Sequence, residues 1–239
     1  MRTGGPFVLS IGGLDPSAGA GILSDIKTYS FCDVMGLAVS TCITVQNHSE
    51  LNQIYWLDLD QILAQIQPLR DYPVKAVKIS VIRNWNKLFD IVREVKRMFP
   101  KTPVVLDPVL MASSGFDICP IPEIDLRDRV LNEIEVITPN HEEYLALDLS
   151  SMKIFSCDVY HKSAFEEWGV DLLIRTNGDQ QKFYPEKQGC EKHGSGCVFS
   201  ASLAAYLAKG EELLVACAMA KKTIESYLTS TQNLIGTLR

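Results

Sequence analysis

Phe7-Val8-Leu9-Ser10-Ile11-Gly12-Gly13-Leu14-Asp15-Pro16-Ser17-Ala18-Gly19-Ala20-Gly21 sets an apolar, strand-like run against a loop of small residues, and residues 21–31 follow with apolar positions at helical spacing. A strand that turns through glycines into a helix opens a βαβ unit. The small residues also let a ligand approach backbone N–H groups closely. The spacing fits neither G-x-G-x-x-G nor G-x-x-x-x-G-K-[ST], because no lysine follows the last glycine. A tight turn with no ligand is the plain alternative. Asp25, one helical turn further on, either accepts hydrogen bonds from a substrate or lies on the solvated face.

The alternation continues along the chain. Residues 37–45, 74–79, 104–106, 134–137 and 172–174 read as strands, and Phe183-Tyr184 as part of a short antiparallel one. Residues 60–69, 85–98, 196–207 and 211–228 read as helices. Strands separated by helices predict an α/β fold, a three-layer α-β-α arrangement around a largely parallel central sheet. No linker or charge block divides the chain, so residues 1–239 are read as one domain. Asp15, Asp107 and Asn140 each fall at or just past the carboxyl end of a proposed strand. Open α/β sheets bind ligands along that edge, often where the strand order reverses.

Composition narrows the function classes. The net charge is −6 and the basic residues are scattered, so neither nucleic acid nor an anionic membrane has an electrostatic footprint. Seven cysteines, an odd number at irregular spacing with no C-x-x-C pair, argue against a disulfide framework or a zinc site. The first six residues lead directly into a strand-like stretch without the apolar segment of a signal peptide, and no later run approaches transmembrane length. A reducing, cytoplasmic setting is expected.

Four clusters carry chemistry. Gly194-Ser195-Gly196-Cys197 precedes an alanine-rich helical run, so its backbone N–H groups form an anion cradle at a positive helix end. That field is expected to favour thiolate over thiol at Cys197. Thr44-Val45-Gln46-Asn47 ends a strand, and the Gln46 amide, both donor and acceptor, suits a ring nitrogen beside an amine. Asp107-Pro108-Val109 and Asn140-His141-Glu142-Glu143 supply hard oxygen ligands, so Asp107 and Glu143 suit a water-filled magnesium shell. Glu143 is equally readable as a first-turn acid capped with Asn140. The four histidines lack metal spacing, although His193 abuts the glycine loop, and no G-x-S-x-G elbow supports a hydrolase.

In this order the segments resemble the hydroxymethylpyrimidine/phosphomethylpyrimidine kinases of thiamine biosynthesis, within the ribokinase-like superfamily. The matching pieces are residues 11–22, Asp25-Ile26-Lys27-Thr28, Thr44-Val45-Gln46-Asn47, Val77-Lys78-Ile79, Leu106-Asp107-Pro108-Val109, Ser114-Gly115, Ile137-Thr138-Pro139-Asn140 with Glu143, His193 to Cys197, and Ala220-Lys221. Many superfamily relatives carry Asp where Cys197 stands, so the cysteine favours the pyrimidine branch or its vitamin-B6 kinase neighbours.

The resemblance implies ATP and magnesium as cofactors and phosphorylation of 4-amino-5-hydroxymethyl-2-methylpyrimidine and its monophosphate, with pyridoxine/pyridoxal kinase as the alternative. It implies that Gln46, Gly13, Asp25, Ile82 and Val109 form the pyrimidine pocket. Asp107, Asn140, Glu143, Lys221 and Arg175 fall to the nucleotide, with Asp107 and Glu143 holding magnesium through water. Gly194, Ser195 and Gly196 form the anion hole, and Cys197 is the base. A homodimer is implied as well. The chain departs from the family in three places: Ser113 replaces a lysine, Arg175-Thr176-Asn177-Gly178 stands for Lys-Gly-Gly-His, and residues 148–194 are shorter. These departures motivate a further reading, a degenerate kinase that binds without catalysis. The central expectation is spatial: the Cys197 thiol and the Gln46 amide face one cavity.

Overall fold

The computed structural model describes residues 5–112, 114–152, 155–165, 168–187, 189–190 and 192–238. Ser113 lies outside the described residues. The elements in order are β1 (Phe7–Leu14), α1 (Gly21–Phe31), β2 (Met35–Gln46), β3 (Leu51–Trp56), α2 (Leu59–Ile66), β4 (Val74–Ile79), α3 (Trp85–Met98) and β5 (Val104–Leu106). They continue with α4 (Ile124–Leu131), β6 (Val136–Ile137), α5 (His141–Ala146), β7 (Asp158–His161), β8 (Asp171–Ile174), β9 (Gln180–Phe183), α6 (Ser195–Ala208) and α7 (Leu213–Thr229).

The strands form one sheet in the order β3-β2-β1-β4-β5-β6-β7-β8-β9. From β2 to β7 every neighbouring pair is parallel. β3 is antiparallel to β2 at one end, and β8 and β9 turn back antiparallel at the other. The expected α/β architecture is therefore present. The chain winds outward from β1 through β2 and then returns to place β4 on the other side of β1. The winding reverses between β1 and β4, which puts a ligand crevice at their carboxyl ends.

Both faces of the sheet are buried, which explains why the central strands read as continuous apolar runs. Side chains alternate along each strand. Leu9, Ile11, Val77, Ile79 and Leu106 pack with α2, α3 and α4 in one core, whereas Val8, Ala76, Val105 and Tyr160 pack with α1, α6 and α7 in the other. On this second face α6 is enclosed nearly all round, and its alanine and serine positions are buried. Small side chains let the helix lie close to the sheet, so its first turn reaches the carboxyl edge.

One buried ion pair fixes that approach. Lys78, fully buried on β4, binds Asp25 of α1 and also donates to the Cys197 carbonyl at 3.3 Å. Ser10 donates to the other Asp25 oxygen at 2.8 Å. Asp25 is thus neither on a solvated face nor open to a ligand; it is sealed under α6 and links three elements. Burial opposes the charge on Lys78, but Asp25, Cys197 and Asp107 hold its ammonium above the ordinary lysine value. Losing one partner of such a pair leaves a bare buried charge, a cost of about 3–5 kcal/mol.

Candidate active site

The carboxyl edge gathers Asp15 after β1, Asp107 after β5, Asn140 and Glu143 at the start of α5, and the α6 N-terminus. Asp107 is buried and fully partnered: one oxygen accepts from Lys162 at 2.9 Å and Thr138 at 3.3 Å, the other from Ser200 at 3.0 Å. Burial raises the cost of its charge, but Lys162 and Lys78 outweigh that and hold the carboxyl below the ordinary value.

Asn140 and Glu143 form a reciprocal cap. The Asn140 side chain accepts from the Glu143 N–H at 2.8 Å, and Glu143 accepts from the Asn140 N–H at 2.9 Å. The capping role is realised, yet it does not exhaust Glu143. Burial pushes its carboxyl up to about 7, with Lys162 lowering it and Asp107 raising it. Lys162 thus stands between two acids, and they hold its ammonium raised against burial.

Lys162 is the main residue missed in the sequence. It follows β7, a strand of four residues, and the turn that carries it is tied down because Asp171 accepts the Ser163 N–H at 2.8 Å. A Cβ at Gly196 would come within 3.3 Å of the Lys162 ammonium and 3.8 Å of Asp107. Glycine at 196 therefore keeps open a cradle bounded by a cation and by first-turn N–H groups that lack intrahelical partners. Gly194 caps α6 in the left-handed region at φ 74, where a side chain would also run into the Gly19 carbonyl. Ser195 begins the helix.

Two expected nucleotide residues are placed differently. β8 runs antiparallel, Ile174 opposite Val159, so Arg175 emerges at the amino edge of the sheet and pairs with Asp158 at 3.2 Å. It stands away from Asp107, whose cationic partner is Lys162 instead. Lys221 is on the correct edge, but its ammonium binds Asp171 at 2.6 Å and the Gly169 carbonyl, so its charge is already used in bracing the Lys162 turn.

Cys197 lies in the first turn of α6, as expected, but its thiol is not activated by that position. Burial pushes it up to about 11; Lys78 lowers it, whereas Asp25 and Asp107 raise it again. Desolvation of the thiolate outweighs the helix field here.

The pyrimidine-side residues meet near the β1–α1 loop. The register of β1 against β2 shifts between Gly12 and Gly13, a bulge that leaves Gly13 packed so tightly that a Cβ would lie 3.0 Å from Cys42 and 3.1 Å from Val81. Gln46 ends β2, and its amide is 3.1 Å from His193 Nε2. The same ring nitrogen is 2.9 Å from Asp15, which also accepts from Ser17 and Ala20. The Asp15–His193 contact was not foreseen. It joins the first glycine loop to the loop that carries Cys197, so amide and thiol belong to one edge. Ile82 and Val109 line, with Ser80 and Asp107, a small cleft of about 20 Å³. A larger surface hollow between Trp85, Pro122 and Arg129 holds none of these site residues.

Burial opposes ionisation of Asp15, but its bonds from His193, Ser17 and Ala20 hold the carboxyl below 3.8. Its contribution is complete above the ordinary carboxylate value and disappears as pH falls through the lower folded value. Asp15→Asn is therefore expected to cost about 1.5–3 kcal/mol at pH 7, the worth of hydrogen bonds to a charged group. Thermal melts at pH 7 and below pH 3 test this: the gap between variant and parent closes on acidification, and an unchanged gap refutes the account of a charged acceptor.

A parallel sheet with helices on both faces, a switch-point crevice and a cradle of glycine, lysine and carboxylate define a ribokinase-like small-molecule kinase. A family model described as phosphomethylpyrimidine kinase matches residues 15–237, and the chain belongs to that family. A hydroxymethylpyrimidine/phosphomethylpyrimidine kinase of Staphylococcus aureus is 30% identical, over 95% of this chain and 90% of its own. The crystal structure of phosphomethylpyrimidine kinase from Clostridium difficile superposes with a TM-score of 0.75 at 28% identity, covering 92% of this chain and 97% of its own. Pyridoxal kinase from Staphylococcus aureus, solved with pyridoxal, shares the fold with a TM-score of 0.82 at 22% identity, covering 98% and 92%. Among the described residues no helix is long and apolar enough to cross a membrane.

Proposed function

We propose that the chain transfers the γ-phosphoryl group of ATP to the hydroxymethyl oxygen of 4-amino-5-hydroxymethyl-2-methylpyrimidine, and to the phosphate of its monophosphate in a second step. The observation that carries this reading is the single edge on which the Gln46 amide, through His193, adjoins the loop of Cys197. Because a carboxylate only accepts, His193 Nε2–H donates to Asp15. The Gln46 amide meets the same ring nitrogen through its own nitrogen, at 3.1 Å, so its oxygen is the group left to accept from an exocyclic amine, and Gly13 and Ile82 flank the ring.

In the first step the alcohol oxygen attacks the γ-phosphorus, the bond from phosphorus to the β-bridging oxygen breaks, and ADP leaves. The thiolate form of Cys197 takes the alcohol proton and becomes the thiol. The N–H groups of Gly196 and Cys197 and the Lys162 ammonium face the transferring group, and fixed donors of this kind stabilise charge without reorganising. Asp107 and Glu143 fit magnesium only indirectly: both carboxylates already have protein partners, and among the described residues no cluster of three metal-ligating side chains occurs. The ion would be held by water from Asp107 and Glu143 together with the nucleotide, neutralising phosphate charge.

A homodimer belongs to the same reading, since Ile43, Val45 and Tyr55 leave apolar area exposed on the β2–β3 edge. A cytoplasmic location also belongs to it. Phosphorylation of the aminopyrimidine alcohol and of pyridoxal, assayed side by side, tests the substrate. The pyrimidine is expected to react with at least tenfold higher kcat/KM, the effect of one matched polar contact against an unmatched one. Faster turnover of pyridoxal overturns the assignment, and turnover of neither favours the degenerate kinase.

A further inference from the structure

Ser80 follows β4 directly, at the point where the winding of the sheet reverses. Its N–H donates to the Ile11 carbonyl at 2.9 Å, so it continues the ladder between β4 and β1. Side chains alternate on β4: Val77 and Ile79 enter one core, while Ala76 enters the other and Lys78 reaches the Cys197 carbonyl on that second side. Ser80 is next in the Ala76–Lys78 series, so its side chain stands on the face that the α6 N-terminus covers. Its hydroxyl points across to β1: a Cβ at Gly12 would be 2.7 Å from it. The residue also lines the cleft that holds Ile82, Asp107 and Val109.

That hydroxyl has no hydrogen-bond partner among the described residues, although Ser80 is only 1% exposed. Every other buried side-chain polar atom of the described residues has one. A hydroxyl buried without a partner costs about 1–3 kcal/mol, and such a group in a folded protein calls for an explanation. The neighbouring chain carries a cost as well. Val81 is held at φ 41, unusual for a β-branched residue, with its carbonyl accepting from Thr41 at 2.6 Å. Both features fall beside the two residues, Gly13 and Ile82, placed against the pyrimidine.

We infer that Ser80 is a substrate-specificity residue of this kinase, its hydroxyl completing a hydrogen bond to a polar atom on the edge of the bound heterocycle. The inference rests on the aminopyrimidine reading above and adds a second polar contact to that of Gln46. A hydroxyl both donates and accepts, so it matches a ring rich in nitrogen and exocyclic amine better than one with carbon at those positions.

The test uses Ser80→Ala and the near-isosteric Ser80→Cys, with the aminopyrimidine alcohol as ligand. Binding is read by calorimetry and the unliganded protein by thermal melting. Loss of one neutral hydrogen bond weakens binding by about 3- to 10-fold, and Ser80→Cys follows because a thiol is a poor donor. The unliganded Ser80→Ala protein is expected to melt about 2–4 °C higher, since an unmet hydroxyl has been removed. Opposite signs for affinity and stability are the signature. Unchanged affinity in both variants overturns the inference, and so does a lower melting point, which marks a structural hydroxyl. The parent protein separates the two layers: failure of the parent to bind the pyrimidine defeats the functional reading, whereas normal binding by parent and variants alike defeats only the role of Ser80.

Discussion

Cys197→Ala is expected to cut turnover by about 10²–10⁴-fold, the usual scale for loss of a positioned base, while the aminopyrimidine still binds. In the proposed arrangement the thiol meets the reacting alcohol, whereas ring recognition is assigned to Gln46, Gly13 and Ile82. Its acidity adds a sharper signature. Burial, with Asp25 and Asp107 adding to it and Lys78 opposing, pushes the thiol up to about 11. The basic form is then about one part in 10⁴ of the protein at pH 7, and it grows tenfold with each unit of rising pH. A reaction that depends on that form follows the same slope, so kcat/KM climbs from pH 6.5 to 9 and the alanine variant loses the climb. Stopped-assay rates across that range, for parent and variant, decide the matter. A flat parent profile, or full turnover by the variant, removes the thiol from proton transfer.

The parts of this molecule that could be read in advance are those written in local pattern. Leu9 and Ile11 of β1, the amphipathic spacing of α3 and the buried run of β4 each announce their element through residues close in sequence. Asp107, Asn140 and Glu143 were visible because each follows such a strand. β7 was not, because it is four residues long and includes Asp158 and His161, whose polarity hides a strand buried by its neighbours rather than by composition. Missing β7 also hid Lys162. The direction of β8 depends on pairing with β7, a contact with no local signal, and this is why Arg175 was assigned to the wrong edge. Asp25 reads in sequence as a pocket or a solvated residue, because its partner, Lys78, is 53 residues away. The acidity of Cys197 was misjudged for a related reason: a helix terminus is legible in the chain, but the packing of α1 and β4 over it is not.

Lys162→Met is the variant expected to have the second largest effect, because this side chain answers two carboxylates and the glycine cradle together. With the ammonium gone, the transferring phosphoryl group loses a fixed cation, which corresponds to about 10²–10³-fold in kcat. Two buried acids also lose their shared partner. Glu143 stands at about 7 even with Lys162 lowering it, so without that charge it rises further and is protonated at neutral pH. Asp107 keeps Ser200 and Thr138 and the field of Lys78, so the protein is expected to fold, at a melting point below that of the parent. Binding of the pyrimidine, measured without nucleotide, should be unaffected, and KM for ATP should rise. Arg175→Met supplies the contrast: from the opposite edge of the sheet, paired with Asp158, it should change kcat by no more than about twofold, within the small effects of substitutions far from a site. If Arg175→Met abolishes turnover while Lys162→Met spares it, then the nucleotide approaches from the other side of the sheet. The phosphate cradle at Gly196 would then have no role in the reaction.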